Sequence, residues 1–238
     1  MPVWMRLAPR ILGPVDAAKS QSEWQAYRLF YSQFRAHFQA TGAIAPSGAA
    51  LARAITAPLA AAPGPRRVME AGAGTGVFTR AILRQLTAGD ELDIYEINPV
   101  FLPWLQRQRE EAQVEARHIR CTIHNCDLRL APPGAPYDFI ISGLPLNNFP
   151  PQLVTEILAL MENRLRPGGV LSFFEYLYIR QLKSVLVHDA SERARIEAVG
   201  AVVAAFLARH PHHAAVVRWN LPPAVARHVT NLPATARD

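Results

Sequence analysis

The sequence predicts an α/β protein built on one mostly parallel sheet of seven strands, with helices on both faces. Three observations support this. Short apolar runs alternate with helical patterns from residue 63 to residue 174, an order typical of parallel strands joined by crossover helices. A glycine-rich turn, G-A-G-T-G, joins the first of these runs to the first crossover helix. Finally, residues 214–230 form two strand-like segments with no helix between them.

Composition limits the choice of architecture and of cell compartment. The chain has 238 residues and 50% hydrophobic content, enough for one α/β core with additions. We expect an N-terminal arm with capping helices over residues 1–62 and a single domain over residues 63–238. The sequence has no run of eighteen apolar residues and no signal-like start, which predicts a cytoplasmic protein without a transmembrane span. Cys121 and Cys126 are predicted to be reduced.

Basic charge is concentrated at the two ends of the chain. Residues 1–62 carry a net charge of +4, residues 63–174 carry −1, and residues 175–238 carry +3. Basic flanks suit an anionic partner, either a phospholipid surface or nucleic acid.

The segment 23–39 has a helical pattern with an aromatic stripe. The stripe lies within an arc of roughly 120° at about 100° per residue and is flanked by Arg28 and Arg35. Such a helix can lie at a membrane surface or can pack on the protein's own sheet. Both readings stay open for the six aromatic residues, which are Trp24, Tyr27, Phe30, Tyr31, Phe34 and Phe38.

The segment 68–80, V-M-E-A-G-A-G-T-G-V-F-T-R, reads as strand, tight turn and helix. This order presents a nucleotide at the carboxyl end of the first strand of an open sheet. The glycine spacing is E-x-G-x-G-x-G, so the third glycine comes one place earlier than in the dinucleotide fingerprint. Glu70 would repel a pyrophosphate, whereas a carboxylate suits the positive charges of S-adenosylmethionine (SAM).

Two further acids follow predicted strands. Glu96 ends the second strand in L-D-I-Y-E-I-N-P, where it is placed to accept from both ribose hydroxyls. Asn98 and Pro99 then start the next helix. A third strand, residues 118–124, leads into N-C-D-L. We expect Asp127 to accept from the adenine amino group and Leu128 to cover the ring.

The fourth strand, residues 136–142, leads into S-G-L-P-L-N-N-F-P, a loop that should face the transferred methyl group. The backbone carbonyls of Ser142, Gly143 and Leu144, with Tyr176 or Tyr178 nearby, are the candidate catalytic groups because carbonyls and aromatic faces stabilise a cationic nitrogen.

A fifth strand follows at residues 170–174, and residues 175–212 are predicted to be a helical insertion that covers the substrate. The cluster His210, His212 and His213 lacks metal-site spacing because Pro211 interrupts it. No metal is therefore expected.

The motifs E-A-G-A-G-T-G, Y-E-I-N-P, N-C-D and R-P-G-G resemble those of class I SAM-dependent methyltransferases over residues 66–174. With V-F-T-R, G-A-I-A-P-S, S-G-L-P-L and R-W-N-L-P-P-A, the whole chain is similar to bacterial phospholipid N-methyltransferases, although E-L-G-P-G is commoner there than E-A-G-A-G. The resemblance implies a Rossmann-like methyltransferase fold, SAM as cofactor, and cofactor contacts from Gly72, Gly74, Gly76, Glu96 and Asp127. The full set of residues that we expect to bind the cofactor also includes Glu70, Thr75, Ile97, Leu128, Ser142 and Ser47.

The resemblance also implies a reaction, the stepwise methylation of phosphatidylethanolamine towards phosphatidylcholine by a protein bound peripherally to the inner face of the membrane. The alternative is an rRNA adenine N6-methyltransferase, but S-G-L-P-L lacks the leading Asn and the Tyr of the adenine-stacking loop, which disfavours nucleic acid. A third reading, a non-enzymatic membrane-binding protein, conflicts with the intact glycines and acids. The general base stays open between Tyr176, Glu175 and water, and the oligomeric state is undetermined.

Overall fold

The structure is a computed structural model that describes residues 46–176, 190–218, 220 and 223–232. All of these residues belong to one compact unit, Ala43–Asp238. The predicted aromatic helix at residues 23–39 lies outside the described residues, as does Tyr178. How the chain divides into domains therefore stays a prediction.

The elements follow each other in the alternating order expected from the sequence. The strands are β1 (Arg67–Ala71), β2 (Glu91–Tyr95), β3 (Arg120–His124), β4 (Tyr137–Ser142), β5 (Leu165–Tyr176), β6 (His212–Val217) and β7 (Ala224–Thr230). The helices are α1 (Pro46–Ile55), α2 (Ala57–Ala60), α3 (Val77–Leu83), α4 (Leu102–Glu111), α5 (Pro151–Arg164) and α6 (Ala190–Ala208), with short 3-10 turns at Pro99–Phe101, Leu128–Leu130 and Leu146–Asn148.

The seven strands form one sheet in the order β3-β2-β1-β4-β5-β7-β6. The first five strands run parallel, and β7 is antiparallel to both β5 and β6. This arrangement confirms the predicted mostly parallel sheet. The strand order reverses between β1 and β4, and in such sheets ligands bind at the carboxyl ends of the strands at this point.

Helices cover both faces of the sheet. A buried cluster joins α1, α3 and α4 to one face, with Ile55, Ile82 and Leu105 fully buried. The helices α5 and α6 lie outside this cluster and contact each other. At about 25 cal/mol per Å² of apolar area, such buried aliphatic side chains provide the main driving force for folding.

Helix α6 lies within the predicted helical insertion at residues 175–212, whose role as a substrate cover stays a prediction. It packs against α5 and buries one face through Ile196, Val199 and Val203. The path from β5 to β6 passes over β7 and needs a crossover element, so residues 190–208 form part of the ordinary helix layer. Arg195 Nη1 at the start of this helix donates to the carbonyl of Asn147 at 3.0 Å.

The ends of two strands also differ from expectation. The third strand begins at Arg120 because His118 has a φ of 54°, which breaks the extended backbone. The fifth strand starts at Leu165 rather than at residue 170, since Leu165 pairs with Tyr137 before a register shift in β4. The predicted R-P-G-G turn is thus absorbed into an irregular strand.

Asp93 organises a polar network on the second face of the sheet. It accepts from Tyr137 Oη at 2.9 Å and from Arg67 Nη2 at 3.2 Å, and it lies 3.0 Å from His124 Nε2. Burial alone would raise the pKa of Asp93, but the bonds from His124 and Tyr137 outweigh it and hold the pKa below its ordinary value. Between β3 and β4 the described chain forms only a 3-10 turn, so polar side chains occupy this part of the sheet.

Arg66 and Asp90 form a buried ion pair where β1 and β2 begin. Their side chains are 5% and 0% exposed, and Arg66 Nη2 lies 2.5 Å from Asp90 Oδ2. Arg66 also donates to the carbonyl of Leu59 at 2.8 Å, and the Thr87 amide donates to Asp90 at 2.6 Å. The pair therefore joins α2, β1 and the turn before β2.

His228 is a buried neutral histidine beneath α1. Its side chain is 2% exposed, and its Nδ1 lies 2.8 Å from Ser172 Oγ on the neighbouring strand. Burial, together with the nearby His213, lowers the pKa of His228 from 6.5 to about 4, although a bond to the Ala54 backbone acts in the opposite direction.

Lowering the pH is therefore expected to destabilise the fold through His228. As the pH falls from 6.5 to about 4, His228 binds a proton in the unfolded chain but stays neutral in the folded chain. This difference lowers the free energy of unfolding by roughly 3 kcal/mol at 1.36 kcal/mol per pKa unit. Chemical denaturation across this range should show the loss in the wild type and a smaller loss in His228→Asn. Equal losses in both proteins would show that His228 does not titrate in this way.

Candidate active site

The glycine loop and the loop after β4 meet where the strand order reverses. Gly72 has a φ of +72°, and its amide donates to the Tyr95 carbonyl at 2.8 Å. The Gly143 amide donates to the Ala71 carbonyl at 2.8 Å. A Cβ at Gly143 would lie 2.5 Å from the Gly72 carbonyl oxygen. Only glycine fits at this contact, so bare backbone lines the centre of the site.

Glu70 is the next-to-last residue of β1, just before the glycine loop, and it is fully buried. Its Oε2 accepts from Thr79 Oγ1 at 2.6 Å, which links β1 to the first turn of α3. The carboxylate lies directly beneath the glycine loop. Thr79 was not singled out in the sequence, although a hydroxyl within the apolar V-F-T-R segment was a usable signal.

Glu96 lies at the carboxyl end of β2 and is 1% exposed. Its Oε2 accepts from the Gly74 amide at 2.6 Å, and its Oε1 accepts from the Asn98 amide at 2.8 Å. Glu96 thus connects the middle of the glycine loop to the residues that follow β2. A carboxylate has about four acceptor positions, so the same oxygens retain capacity for further hydroxyl donors.

Gln108 is a site residue that sequence reasoning missed. It lies on α4 and is 7% exposed, and its Nε2 donates to the Thr75 carbonyl at 3.0 Å. Its side chain fills the space that a Cβ at Gly76 would need, and Gly76 itself has a φ of +78°. Because the two partners are far apart in the chain, no local pattern pointed to this contact.

Asn125 and Asp127 shape the edge of the site beside β3. Asn125 Nδ2 donates to the carbonyls of Glu96 at 2.8 Å and Ile97 at 3.1 Å. Asp127 accepts from the Arg129 amide at 2.9 Å and from its guanidinium at 3.1 Å. Leu128 is buried beside it. The adenine contact predicted for Asp127 stays a prediction, and the structure adds Arg129 as its present partner.

The candidate catalytic groups after β4 lie directly against the glycine loop. Ser142 is fully buried and its Oγ accepts from the Leu144 amide at 3.3 Å. The Leu144 side chain packs over Gly72, where it fills the space of a Cβ. This loop is therefore positioned by contact with the loop that carries the cofactor prediction.

Tyr176 reaches the same region through two aromatic contacts. Its ring meets Phe174 edge-on at 5.2 Å between centroids, and Phe174 meets Phe78 edge-on at 5.8 Å. Phe78 lies in the first turn of α3 and would contact a Cβ at Gly143 at 3.6 Å. These contacts connect Tyr176 to the site. The side chain of Ser47, another predicted cofactor contact, lies outside the described residues.

Glu175 is a poor candidate for the general base. Successive residues of a strand point to opposite faces, so Glu175 and Tyr176 lie on different sides of the sheet. Glu175 is 8% exposed and is ion-paired with Arg227 of β7. Tyr176 and water remain the candidates for this role.

The histidines near the chain end have protein partners. His210 Nδ1 lies 2.9 Å from the Phe206 carbonyl oxygen, and His210 Nε2 lies 3.2 Å from Glu162. Among the described residues, no group of three or more His, Cys, Asp or Glu side chains could hold a metal ion. Cys121 and Cys126 are free thiols, and burial raises the pKa of Cys121 to about 12.

The backbone and the charged side chains at this site fit SAM. The absence of a Cβ at Gly72 and Gly143 lets the two loops pack closely together beside the carboxyl end of β1. Glu96 presents buried carboxylate oxygens at the end of β2, the position that binds ribose in open α/β sheets. Within the described part of the site, Glu70 and Glu96 supply negative charge, which suits a sulfonium better than a phosphate.

Comparison with known proteins agrees with this geometry. Residues 68–169 match a family model described as a methyltransferase domain. The fold resembles the O-methyltransferase TomG from Streptomyces achromogenes in complex with SAM, with 16% identity, a TM-score of 0.57, and coverage of 79% of this chain and 81% of that chain. It also resembles the N-methyltransferase NodS from Bradyrhizobium japonicum, with 14% identity, a TM-score of 0.57, and coverage of 80% of this chain and 99% of that chain.

The matched residues and the fold together confirm the predicted Rossmann-like methyltransferase fold, and they agree with the prediction of SAM as the cofactor. Among curated proteins, the chain is 28% identical over 142 residues to an ornithine lipid N-methyltransferase from Singulisphaera acidiphila, covering 59% of this chain and 73% of that protein. None of the described helices is long and apolar enough to cross a membrane.

Proposed function

We propose that this protein transfers a methyl group from SAM to the amino headgroup of a membrane lipid. The similarity to an ornithine lipid N-methyltransferase is the observation that carries the proposal. The loop Ser142–Leu144 supports it, because its backbone packs against the glycine loop at the point where the donor and acceptor must meet.

The chemistry needs alignment more than acid–base machinery. When bound, SAM supplies an electrophilic methyl group that a neutral amine displaces in line, so positive charge passes from sulfur to nitrogen. In this proposal the carbonyls of Ser142, Gly143 and Leu144 hold the cationic nitrogen, and Tyr176 offers an aromatic face. Alignment of two reactants in this way supplies several kcal/mol of the barrier reduction.

The headgroup amine must lose a proton before it attacks. A primary ammonium has a pKa of about 10, so at neutral pH the charged form dominates. Tyr176 or water takes this proton, since Glu175 is paired with Arg227 on the other face of the sheet. We assign no further group to this step.

Two lipid amines are candidate substrates. Phosphatidylethanolamine, methylated stepwise towards phosphatidylcholine, is the substrate expected from the sequence motifs. Ornithine lipid is the substrate named for the curated relative. Both present a primary amine close to the headgroup carbonyl or phosphate at the membrane surface, and the loop after β4 suits either.

The substrate places the protein at the inner face of the membrane as a peripheral protein. The aromatic stripe at residues 23–39, with its flanking arginines, is the segment that we propose for this contact within an N-terminal arm of residues 1–62. Tryptophan, tyrosine and arginine favour the membrane interface because each combines an apolar body with a polar tip.

The proposal predicts which substrate becomes labelled. Incubation with methyl-labelled SAM should label the lipid in vesicles that contain phosphatidylethanolamine or ornithine lipid, and separate vesicles of each distinguish the two. Structured RNA in a parallel reaction tests the adenine N6-methyltransferase alternative. Label in RNA alone would refute the lipid assignment. Vesicles of phosphatidylcholine, which has no free amine, are the control and should remain without label.

A further inference from the structure

A groove between α3 and α4 borders the site described above and shares Gln108 with it. Its cavity measures about 460 Å³. Arginine is the commonest residue in its lining, which consists of Arg80, Leu83, Arg84, Gln108, Glu111, Ala112 and Arg117. The methyl-transfer chemistry uses none of these arginines.

Arg80 of α3 and Arg84, the residue that caps the end of this helix, repel each other. Arg80 and Arg84 are exposed and lie four residues apart, so they are neighbours on one face of the helix, and like charges at this spacing destabilise it. Neither side chain forms a hydrogen bond or ion pair with another residue in the described part of the chain. An anion bound between them would remove the repulsion.

The rest of the groove adds positive charge. Arg117 is held in place because its Nη1 donates to the Leu83 carbonyl at 3.0 Å and its Nη2 to the Leu86 carbonyl at 2.5 Å. The acid in the lining is Glu111, whose Oε1 lies 2.7 Å from Arg107 Nε. Its charge is therefore balanced outside the groove, and the lining keeps a net positive charge.

Large apolar side chains are exposed beside this basic groove. Trp104 is 60% exposed and Val100 is 67% exposed. Trp104 lies one turn before Gln108 on α4, and Val100 lies one turn earlier still, so the three share one stripe. A tryptophan beside arginines is typical of a surface that enters the headgroup region of a bilayer. Valine cannot stack on a base, so the stripe favours a membrane over nucleic acid.

We infer that this surface, formed by Arg80, Arg84, Val100 and Trp104 and here called the α3–α4 face, binds an anionic phospholipid bilayer. The inference rests on the proposed function, because it concerns the membrane that holds the substrate. The arginines contact lipid phosphates, and Val100 and Trp104 enter the headgroup layer. The 3-10 turn that carries Val100 begins three residues after Glu96, so this contact brings the cofactor edge of the sheet close to the lipid.

The test compares vesicle binding by two double variants of the full chain. Arg80→Gln/Arg84→Gln removes the exposed pair, and Arg120→Gln/Arg209→Gln removes two exposed charges elsewhere on the protein as a matched control. Each arginine near an anionic surface contributes about five-fold in binding, so the first variant should sediment with phosphatidylglycerol-containing vesicles roughly ten- to thirty-fold less well. The control should bind like the wild type. Trp104→Ala should also weaken binding, and SAM affinity should stay unchanged in all three proteins.

Equal vesicle binding by the arginine double variant and the wild type would overturn the inference. So would a loss of binding to structured RNA while vesicle binding is retained, since that result would assign the face to nucleic acid. A water-soluble, short-chain phosphatidylethanolamine or ornithine lipid separates this inference from the proposed function. If the arginine variant methylates the short-chain lipid normally but not vesicles, the face acts in docking. If the wild type binds vesicles through this face but methylates no lipid, only the proposed function fails.

Discussion

Replacement of Glu96 by alanine is expected to reduce the affinity for SAM by at least a hundred-fold. The buried carboxylate is the predicted acceptor for the ribose hydroxyls, and each hydrogen bond to a charged group contributes about 1.5–3 kcal/mol. The substitution also releases the Gly74 amide, which Glu96 now holds at 2.6 Å. Both effects act on the same pocket, so the loss should exceed that for any exposed acid.

Isothermal titration calorimetry with SAM measures this change directly. Glu110→Ala is the matched control, because Glu110 is an exposed acid on α4 whose partner is Gln106. Far-UV circular dichroism and thermal unfolding should show that both variants remain folded. Undiminished SAM affinity in Glu96→Ala would mean that the ribose binds elsewhere.

Replacement of Asp90 by alanine is expected to lower the free energy of unfolding by about 3–5 kcal/mol, because it leaves the buried Arg66 charge without its partner. Burial alone would raise the pKa of Asp90, but bonds from Arg66 and Thr87 outweigh it and hold the pKa below its ordinary value. The carboxylate is therefore ionised at neutral pH, and its contribution to stability is lost only as the pH falls through this lowered pKa.

The neighbouring acid supplies a control for Asp90. Glu91 is 33% exposed and pairs with Arg67 at 3.2 Å and with the exposed Arg120. Exposed pairs contribute at most about 1 kcal/mol, so Glu91→Ala should cost far less than Asp90→Ala. Urea denaturation at neutral pH measures both. Similar losses in the two variants would show that the Arg66 pair is no more important than a surface ion pair.

The parts of the site that follow from local sequence were predictable. Gly72, Glu96 and Asp127 each follow closely after a predicted strand, and parallel strands bring such positions to one edge of a sheet. This rule needs no knowledge of distant contacts. It also located the loop at Ser142, because β4 lies beside β1 in folds of this order.

The parts that depend on packing between distant segments were not predictable. Gln108 reaches the Thr75 carbonyl from a helix more than thirty residues away, and nothing near it in the chain marks that role. Arg129 engages Asp127 from two residues away, yet an arginine in a polar turn usually faces solvent. The length of residues 175–212 suggested an insertion, whereas the crossover past β7 already requires a helix.

The contact between Gly72 and Gly143 also bears on how related sequences diverge. The two glycines belong to motifs that are far apart in the chain, yet the backbone of one occupies the volume that a methyl group on the other would need. A homologue that carries alanine at position 143 must therefore displace the first loop, so glycine at position 143 should be retained wherever this loop keeps its conformation. The conformation of the glycine loop, which is predicted to bind the methyl donor, therefore depends on the residue at position 143 in the loop that is predicted to face the acceptor.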